Sequence, residues 1–185
     1  MLSYPDDALR RTVMVAIFAS IAVVLGVLES MIPLAVSIPG AKLGFGNIMI
    51  LTCLYFFSAH DALALIVVKT ILTAFILGTF STFLFSFLGA LFSFTIMLTL
   101  LRLGRESFSL TGISVVGGIA HNLGQLAGAA IVLGTIKIFY YLPFLLVAGV
   151  VTGILVGMAS TRLVAALRRV DIFDGLERRA EGRGS

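Results

Sequence analysis

The sequence predicts an all-α integral membrane protein, built as a bundle of six transmembrane helices. Of its 185 residues 59% are hydrophobic and only 12% are charged, and the mean hydropathy is +1.14. A soluble domain carries about 25% charged residues, so the surplus apolar surface must face membrane lipid. This composition excludes a soluble enzyme, a disordered chain and a nucleic-acid-binding protein.

Six apolar segments are the candidate spans, because a membrane helix needs roughly 20 mostly apolar residues. Pro33 marks the end of the first segment. The second is short for a full crossing and ends at His60 and Asp61, the fourth is rich in Phe, and the fifth is rich in Gly and polar residues. The predicted spans are residues 8–34, 47–58, 62–77, 82–103, 110–136 and 142–167.

The basic residues orient this bundle through the excess of Lys and Arg in cytoplasmic loops. With the N-terminus inside, all ten arginines fall on the cytoplasmic side, whereas Lys42 and Lys137 fall outside. We therefore expect a multi-pass protein of the cytoplasmic membrane with both termini cytoplasmic. Residues 1–170 form a single transmembrane domain, and residues 171–185 form a polar cytoplasmic tail.

Polar residues inside the spans are candidate binding residues, because an ionisable group at a helix centre costs about 2.5–3.5 kcal/mol in hydrocarbon. Lys69 lies halfway along the third span and either pairs with a carboxylate, such as Glu29, or contacts a ligand. In the fifth span His121 and Gln125 share a helical face, and Asn122 lies beside them. This cluster is either a ligand site or an interhelical hydrogen-bond network.

The segment between the first two spans is a further candidate. Residues 39–47 read Pro-Gly-Ala-Lys-Leu-Gly-Phe-Gly-Asn, so Lys42 lies among residues that permit tight turns. The second helix begins directly afterwards at Asn47, and a helix N-terminus has free N–H groups and partial positive charge. Lys42 and Asn47 therefore suit a carboxylate or phosphate. Alternatively, Lys42 is an ordinary loop lysine and the glycines only shape the turn.

The sequence contains no familiar catalytic motif. It has no P-loop, no G-x-S-x-G and no H-E-x-x-H. His121 has no Cys or carboxylate at metal-ligand spacing, so we predict no metal and no cofactor. The acidic pair Asp171 and Asp174 is interpreted as a solvated helix end rather than a diphosphate–magnesium site. We expect a transport or binding subunit and not an enzyme.

Three stretches give the chain a resemblance to a known membrane family: residues 39–47, Gly-Thr-Phe-Ser at 78–81, and His-Asn-Leu-Gly-Gln at 121–125. Over nearly the whole chain the sequence resembles the family catalogued as "Gx transporter" or "heptaprenyl diphosphate synthase component I". That family looks like a relative of the substrate-binding S subunits of energy-coupling factor (ECF) transporters.

The resemblance implies an S-component-like bundle with a substrate pocket near the outer face, closed by the first loop. It also implies that a coupling subunit docks on small residues of the first helix, while two ATPase subunits on other chains drive transport. Small residues at helical spacing otherwise indicate packing inside the bundle. The implied docking residues are Ala16, Ala19, Ser20 and Val23.

The predicted function combines these features. We expect the substrate-binding membrane subunit of an ATP-driven uptake transporter for a small, anionic molecule of the vitamin or cofactor-precursor kind. The alternative is a non-catalytic accessory subunit linked to isoprenoid or polyprenyl diphosphate (quinone) metabolism. A scaffold subunit without a ligand would instead have intramembrane polar groups that satisfy one another. The predicted substrate-binding residues are Lys42, Asn47, Lys69, His121, Asn122 and Gln125.

Overall fold

The computed structural model describes residues 4–31, 43–77, 80–104 and 108–170, and it confirms the all-α prediction for these ranges. A 3₁₀ helix joins the last two α-helices. The elements are α1 (Tyr4–Ser30), α2 (Asn47–Phe56), α3 (Ala59–Leu77), α4 (Phe80–Gly104), α5 (Leu110–Leu133), the 3₁₀ helix Ile136–Tyr141, and α6 (Leu142–Leu167).

Five of the helices in the described ranges are long and apolar enough to cross a membrane. The exception is α2, whose 10 residues give a length of about 15 Å, roughly half the thickness of the hydrocarbon core. Most of its side chains are buried, including the fully buried Ile50, Leu51 and Cys53. The structure therefore has five membrane-length helices around a short buried one, and it does not confirm the count of six spans.

The turn between α2 and α3 lies a few residues earlier than predicted. His60 and Asp61, expected to end the second span before a third span from residue 62, lie in the first turn of α3, which begins at Ala59. The Asp61 carboxylate accepts hydrogen bonds from the Ser58 backbone N–H at 2.9 Å and from Arg11 Nε at 2.8 Å. A carboxylate is stabilising at a helix N-terminus, and here it also ties the beginning of α1 to this turn.

Arginines gather at one end of the bundle. The Arg168 guanidinium, just after α6, lies over the Tyr55 ring, 5.2 Å from its centroid. Tyr55 is near the C-terminal end of α2, and Arg11 bonds to the α2–α3 turn. The beginnings of α1 and α3 and the ends of α2 and α6 thus share one end, which is the arrangement that the arginine distribution predicts for the cytoplasmic face.

The side of the membrane that this end faces can be tested by cysteine labelling. Lys137 and Arg169 are both exposed and lie at opposite ends of α6. In a Cys53→Ala background, we expect a membrane-impermeant maleimide to modify Lys137→Cys in intact cells. We expect it to modify Arg169→Cys only after permeabilisation. The opposite pattern would overturn the predicted orientation.

Glycines set the spacing between α4, α5 and α6. A Cβ atom on Gly124 of α5 would lie 2.5 Å from the Leu88 carbonyl oxygen of α4. One on Gly153 of α6 would lie 2.6 Å from Val115 Cα of α5. Small residues allow this close approach of membrane helices. The small residues at these positions of α5 and α6 therefore serve packing inside the bundle.

Candidate functional site

Buried polar side chains gather near the N-terminal end of α2, in the middle of the bundle. Because α2 ends beside Arg168, its N-terminus lies about 15 Å from that end. Lys69 lies two turns along α3 from Asp61, so its depth in the bundle is comparable to that of the α2 N-terminus. Asn47 and Lys69 are only 4% and 6% exposed. His121 and Gln125 on α5 are also buried.

Glu29 holds the turn that precedes α2. Its carboxylate accepts the backbone N–H groups of Gly44 at 2.5 Å and Phe45 at 3.1 Å. Gly44 has φ of +81°, a conformation that residues with a Cβ adopt only under strain. Since Glu29 is 3% exposed, these are charge-assisted hydrogen bonds in a buried environment, the stronger kind.

Lys69 approaches the same turn at Gly46. A Cβ atom on Gly46 would overlap the Lys69 ammonium group and would lie 3.4 Å from the Ala22 carbonyl oxygen. The missing side chain at position 46 is thus what allows the ammonium group to reach the N-terminus of α2. The sequence leaves two roles open for this lysine, an ion pair with a carboxylate such as Glu29 or contact with a ligand, and both stay predictions.

His121 and Gln125 lie against glycines of two other elements. A Cβ atom on Gly89 of α4 would lie 2.8 Å from Gln125 Cγ and 3.0 Å from His121 Cε1. One on Gly44 would lie 3.3 Å from His121 Cδ2 and 3.1 Å from Asn47 Nδ2. The fold therefore brings Asn47, His121 and Gln125 together around Gly44 and Gly89, as a shared site requires.

Asn122 serves a different interface. Its side-chain Nδ2 donates a 2.6 Å hydrogen bond to the Leu145 carbonyl oxygen of α6. This is the kind of interhelical contact that the alternative interpretation of the α5 cluster predicts.

We expect Asn122→Ala to lower the free energy of unfolding by about 0.5–1.5 kcal/mol, because it removes a buried hydrogen bond between α5 and α6. Thermal unfolding of the purified protein measures this. Thr95→Ala on α4 is the matched control, since the Thr95 hydroxyl is exposed and bonds only within its helix, to Leu91 O. Equal melting temperatures for the two variants would contradict the structural role of Asn122.

The structure does not place every residue that the sequence predicts for a site. Lys42 lies outside the described residues, as do Asp171 and Asp174. The four predicted docking residues of α1 divide between two faces: Ala16 and Ser20 are exposed, whereas Ala19 and Val23 are buried within the protein.

Two hydroxyl residues near the cluster were not predicted. Ser93 of α4 is fully buried, and its Oγ accepts a 3.4 Å hydrogen bond from Asn47 Nδ2. Thr73 lies one turn beyond Lys69 on α3, and within the described ranges its Oγ1 has no hydrogen-bond partner. Isolated Ser and Thr in apolar helices commonly bond to their own backbone, so they give little signal. The signal that the sequence did contain is the i, i+4 spacing of Lys69 and Thr73, which places both side chains on one face of the helix.

The site is suited to binding an anion. The Lys69 ammonium group and the N-terminus of α2 both attract negative charge, and neutral amide and imidazole groups lie close by. The free space beside Asn47 is about 10 Å³, enough for about one water molecule. This space is lined by Asn47 and Ser93 but not by Lys69 or Gln125. A ligand of vitamin size needs about 300 Å³ or more, so this space alone does not hold one.

Residues 18–163 match the family described as heptaprenyl diphosphate synthase component I. This match covers more than half of the chain, and it includes α2 to α5 and the whole cluster around Asn47. No curated protein and no solved structure matches the chain.

Proposed function

The chain belongs to the heptaprenyl diphosphate synthase component I family, and we propose that it is the substrate-binding membrane subunit of an ATP-driven uptake transporter. The proposed substrate is a small anionic molecule of the vitamin or cofactor-precursor kind. One observation carries the proposal: the buried Lys69 ammonium group lies beside the N-terminus of α2, in the middle of a bundle of membrane-length helices.

The short α2 helix supports an anionic substrate. Its aligned peptide dipoles are equivalent to about half a positive charge at the N-terminus. The N-cap residue, Gly46, supplies no side-chain hydrogen bond there, and the Asn47 and Ile48 N–H groups donate to the Gly44 and Phe45 carbonyl oxygens. The attraction for an anion therefore comes from the helix dipole rather than from unpaired N–H groups. Half-helices that begin near the middle of the membrane bind anionic substrate groups in secondary transporters. The same physical arrangement here favours a carboxylate or phosphate.

The neighbouring groups supply selectivity. Glu29 is the carboxylate bound to the turn before α2, and it lies on the helix that Lys69 approaches at Gly26. The single negative charge of Glu29 is smaller than the combined positive charge of the Lys69 ammonium group and the helix N-terminus. The site therefore still attracts an anion. Asn47, His121 and Gln125 offer hydrogen bonds to uncharged parts of the substrate. Removing one such bond typically costs about 1–3 kcal/mol, or roughly 5- to 150-fold in affinity.

The test is native mass spectrometry of the protein purified from its own membranes. We expect a co-purifying small anion in the wild type and in Lys137→Met, which removes an exposed lysine. The double variant Glu29→Gln/Lys69→Met keeps the site free of net charge, and we expect it to lose the anion while remaining folded. Retention of the anion by the double variant would contradict the role of Lys69.

The proposed partners are a coupling subunit and two ATPase subunits on other chains. The exposed pair Ala16 and Ser20 on α1 is the proposed docking face. We expect Ser20→Leu to reduce co-purification of these subunits without lowering the melting temperature, because the larger side chain prevents close helix approach. Thr95→Leu on α4 is the matched control, since its hydroxyl is also exposed and also bonds to the carbonyl four residues before it. Equal losses for both variants would exclude this face.

The family description favours a second candidate, a membrane accessory subunit in polyprenyl diphosphate metabolism. In that case a prenyl synthase subunit, rather than ATPases, should co-purify with the chain. The co-purifying small molecule should then carry a diphosphate group and a prenyl chain. The same purification therefore separates the two functions.

A further inference from the structure

Hydrogen-bond donors converge between α1, α3 and the turn before α2. Thr73 Oγ1 and Lys69 Cε lie 3.5 Å and 3.9 Å from the position that a Cβ atom would take on Gly26 of α1. Thr73 is 2% exposed, and among the described residues its hydroxyl has no partner. The hydroxyl and the lysine side chain thus meet α1 at one place, three residues before Glu29. A buried donor without an acceptor is costly, which favours an acceptor at this place.

One turn further along α1, the Glu29 carboxylate is the acceptor that the protein supplies to the turn before α2. It binds the successive N–H groups of Gly44 and Phe45. Successive backbone N–H groups in a turn form a concave anion-binding site. The structure thus shows that this turn binds a carboxylate, and that the carboxylate comes from α1.

We propose that Glu29 is a built-in competitor for this anion site, and that the carboxylate or phosphate of a ligand binds there by displacing it. The incoming anion would take the N–H groups of Gly44 and Phe45 and would face Lys69 and the hydroxyl of Thr73. This displacement rests on the proposed function in that it concerns the same anion site. It requires neither ATPase subunits nor transport.

Displacement has a physical consequence for selectivity. The Glu29 bonds hold the turn directly before Asn47, and the described residues around Gly44, Asn47 and Ser93 enclose about 10 Å³ of free space. An anion that displaces Glu29 binds the turn in its place and detaches the turn from α1, and it must provide enough binding energy to replace two charge-assisted hydrogen bonds. A bare anion does so poorly, whereas a ligand with additional polar groups gains contacts to Asn47 and His121. Glu29 thereby selects against small inorganic anions.

The experiment uses inorganic phosphate as the probe and the full chain in a phosphate-free, uncharged detergent. Isothermal titration gives affinity, and the melting temperature at increasing phosphate gives ligand stabilisation. We expect Glu29→Gln to bind phosphate about tenfold more tightly than the wild type, with a larger rise in melting temperature. Glu29→Asp retains the charge and should stay close to the wild type. Lys137→Met is the control for general charge effects.

The double variant Glu29→Gln/Lys69→Met should lose the gain, since the ammonium group that faces the anion is gone. Equal or weaker phosphate binding by Glu29→Gln would overturn the proposal, as would a gain that survives in the double variant. If Glu29→Gln does not fold without ligand, the yield of folded protein purified in the presence of phosphate is measured instead. A yield that phosphate does not raise counts against the proposal. A lack of co-purifying ATPases or natural ligand would contradict the transport function and leave these results unchanged.

Discussion

Glu29→Gln is expected to lower the free energy of unfolding of the ligand-free protein by about 3 kcal/mol. The substitution preserves shape but turns one carboxylate oxygen into an N–H₂ group that faces the backbone N–H of Gly44 or Phe45. It also removes a negative charge from α1 near Gly26, which the buried Lys69 side chain approaches. Hydrogen bonds to charged groups contribute about 1.5–3 kcal/mol, and breaking a buried charge pair costs about 3–5 kcal/mol.

A double-mutant cycle with Lys69→Met separates these two contributions. If Glu29 and Lys69 stabilise each other, the double variant should be more stable than the sum of the single effects predicts, with a coupling of about 0.5–3 kcal/mol. Thermal or denaturant unfolding in detergent measures each variant. Lys137→Met, at an exposed position, should change stability very little. Additive effects of the two substitutions would show that Glu29 acts only through the turn before α2.

Gly124→Ala is the second substitution with a large expected effect. The added Cβ atom would lie 2.5 Å from the Leu88 carbonyl oxygen and 2.9 Å from Gly89 Cα. Both are backbone atoms that cannot rotate away, so α4 and α5 must separate. Overpacking of this kind costs about 1–3 kcal/mol, and occasionally more. Because Gly89 lies against His121 and Gln125, we also expect weaker ligand binding.

Gly112→Ala on the same helix is the matched control. A Cβ atom there meets only the Ser109 hydroxyl at 3.3 Å, and the position is exposed. Replacing a helical Gly by Ala is favourable by roughly 0.5–1 kcal/mol in the absence of a clash. The two substitutions should therefore change the melting temperature in opposite directions. A similar change for both would show that α4 and α5 tolerate a larger separation.

The fold was predictable wherever local composition decides it. The apolar runs are interrupted by charges and glycines, and the predicted sixth span coincides with α6, Leu142–Leu167. The apolar segment 47–58 resembles the other spans in composition, but α2 is too short to cross and is buried by its neighbours. Its role depends on what surrounds it, which local composition does not contain.

The candidate site was predictable in its residue types and only partly in its contacts. Lys69, His121 and Gln125 are conspicuous because polar groups are costly in hydrocarbon, and the structure places them near the turn before α2. Asn122 has the same chemistry, yet it bonds to Leu145 of α6. Neighbouring positions on a helix face different partners. Only the packing of α4, α5 and α6 decides which partner each polar side chain of α5 contacts.

By itself, the sequence determined that this chain is a helical membrane protein and that Lys69, His121 and Gln125 lie inside it, because both follow from the cost of placing polar groups in lipid. Only the tertiary structure decided that Glu29 binds the turn at Gly44 and that Lys69 reaches the N-terminus of α2 beside Gly46. These contacts join residues that are distant in the chain. They depend on how closely α1 and α3 approach that turn, and helix packing alone sets this distance.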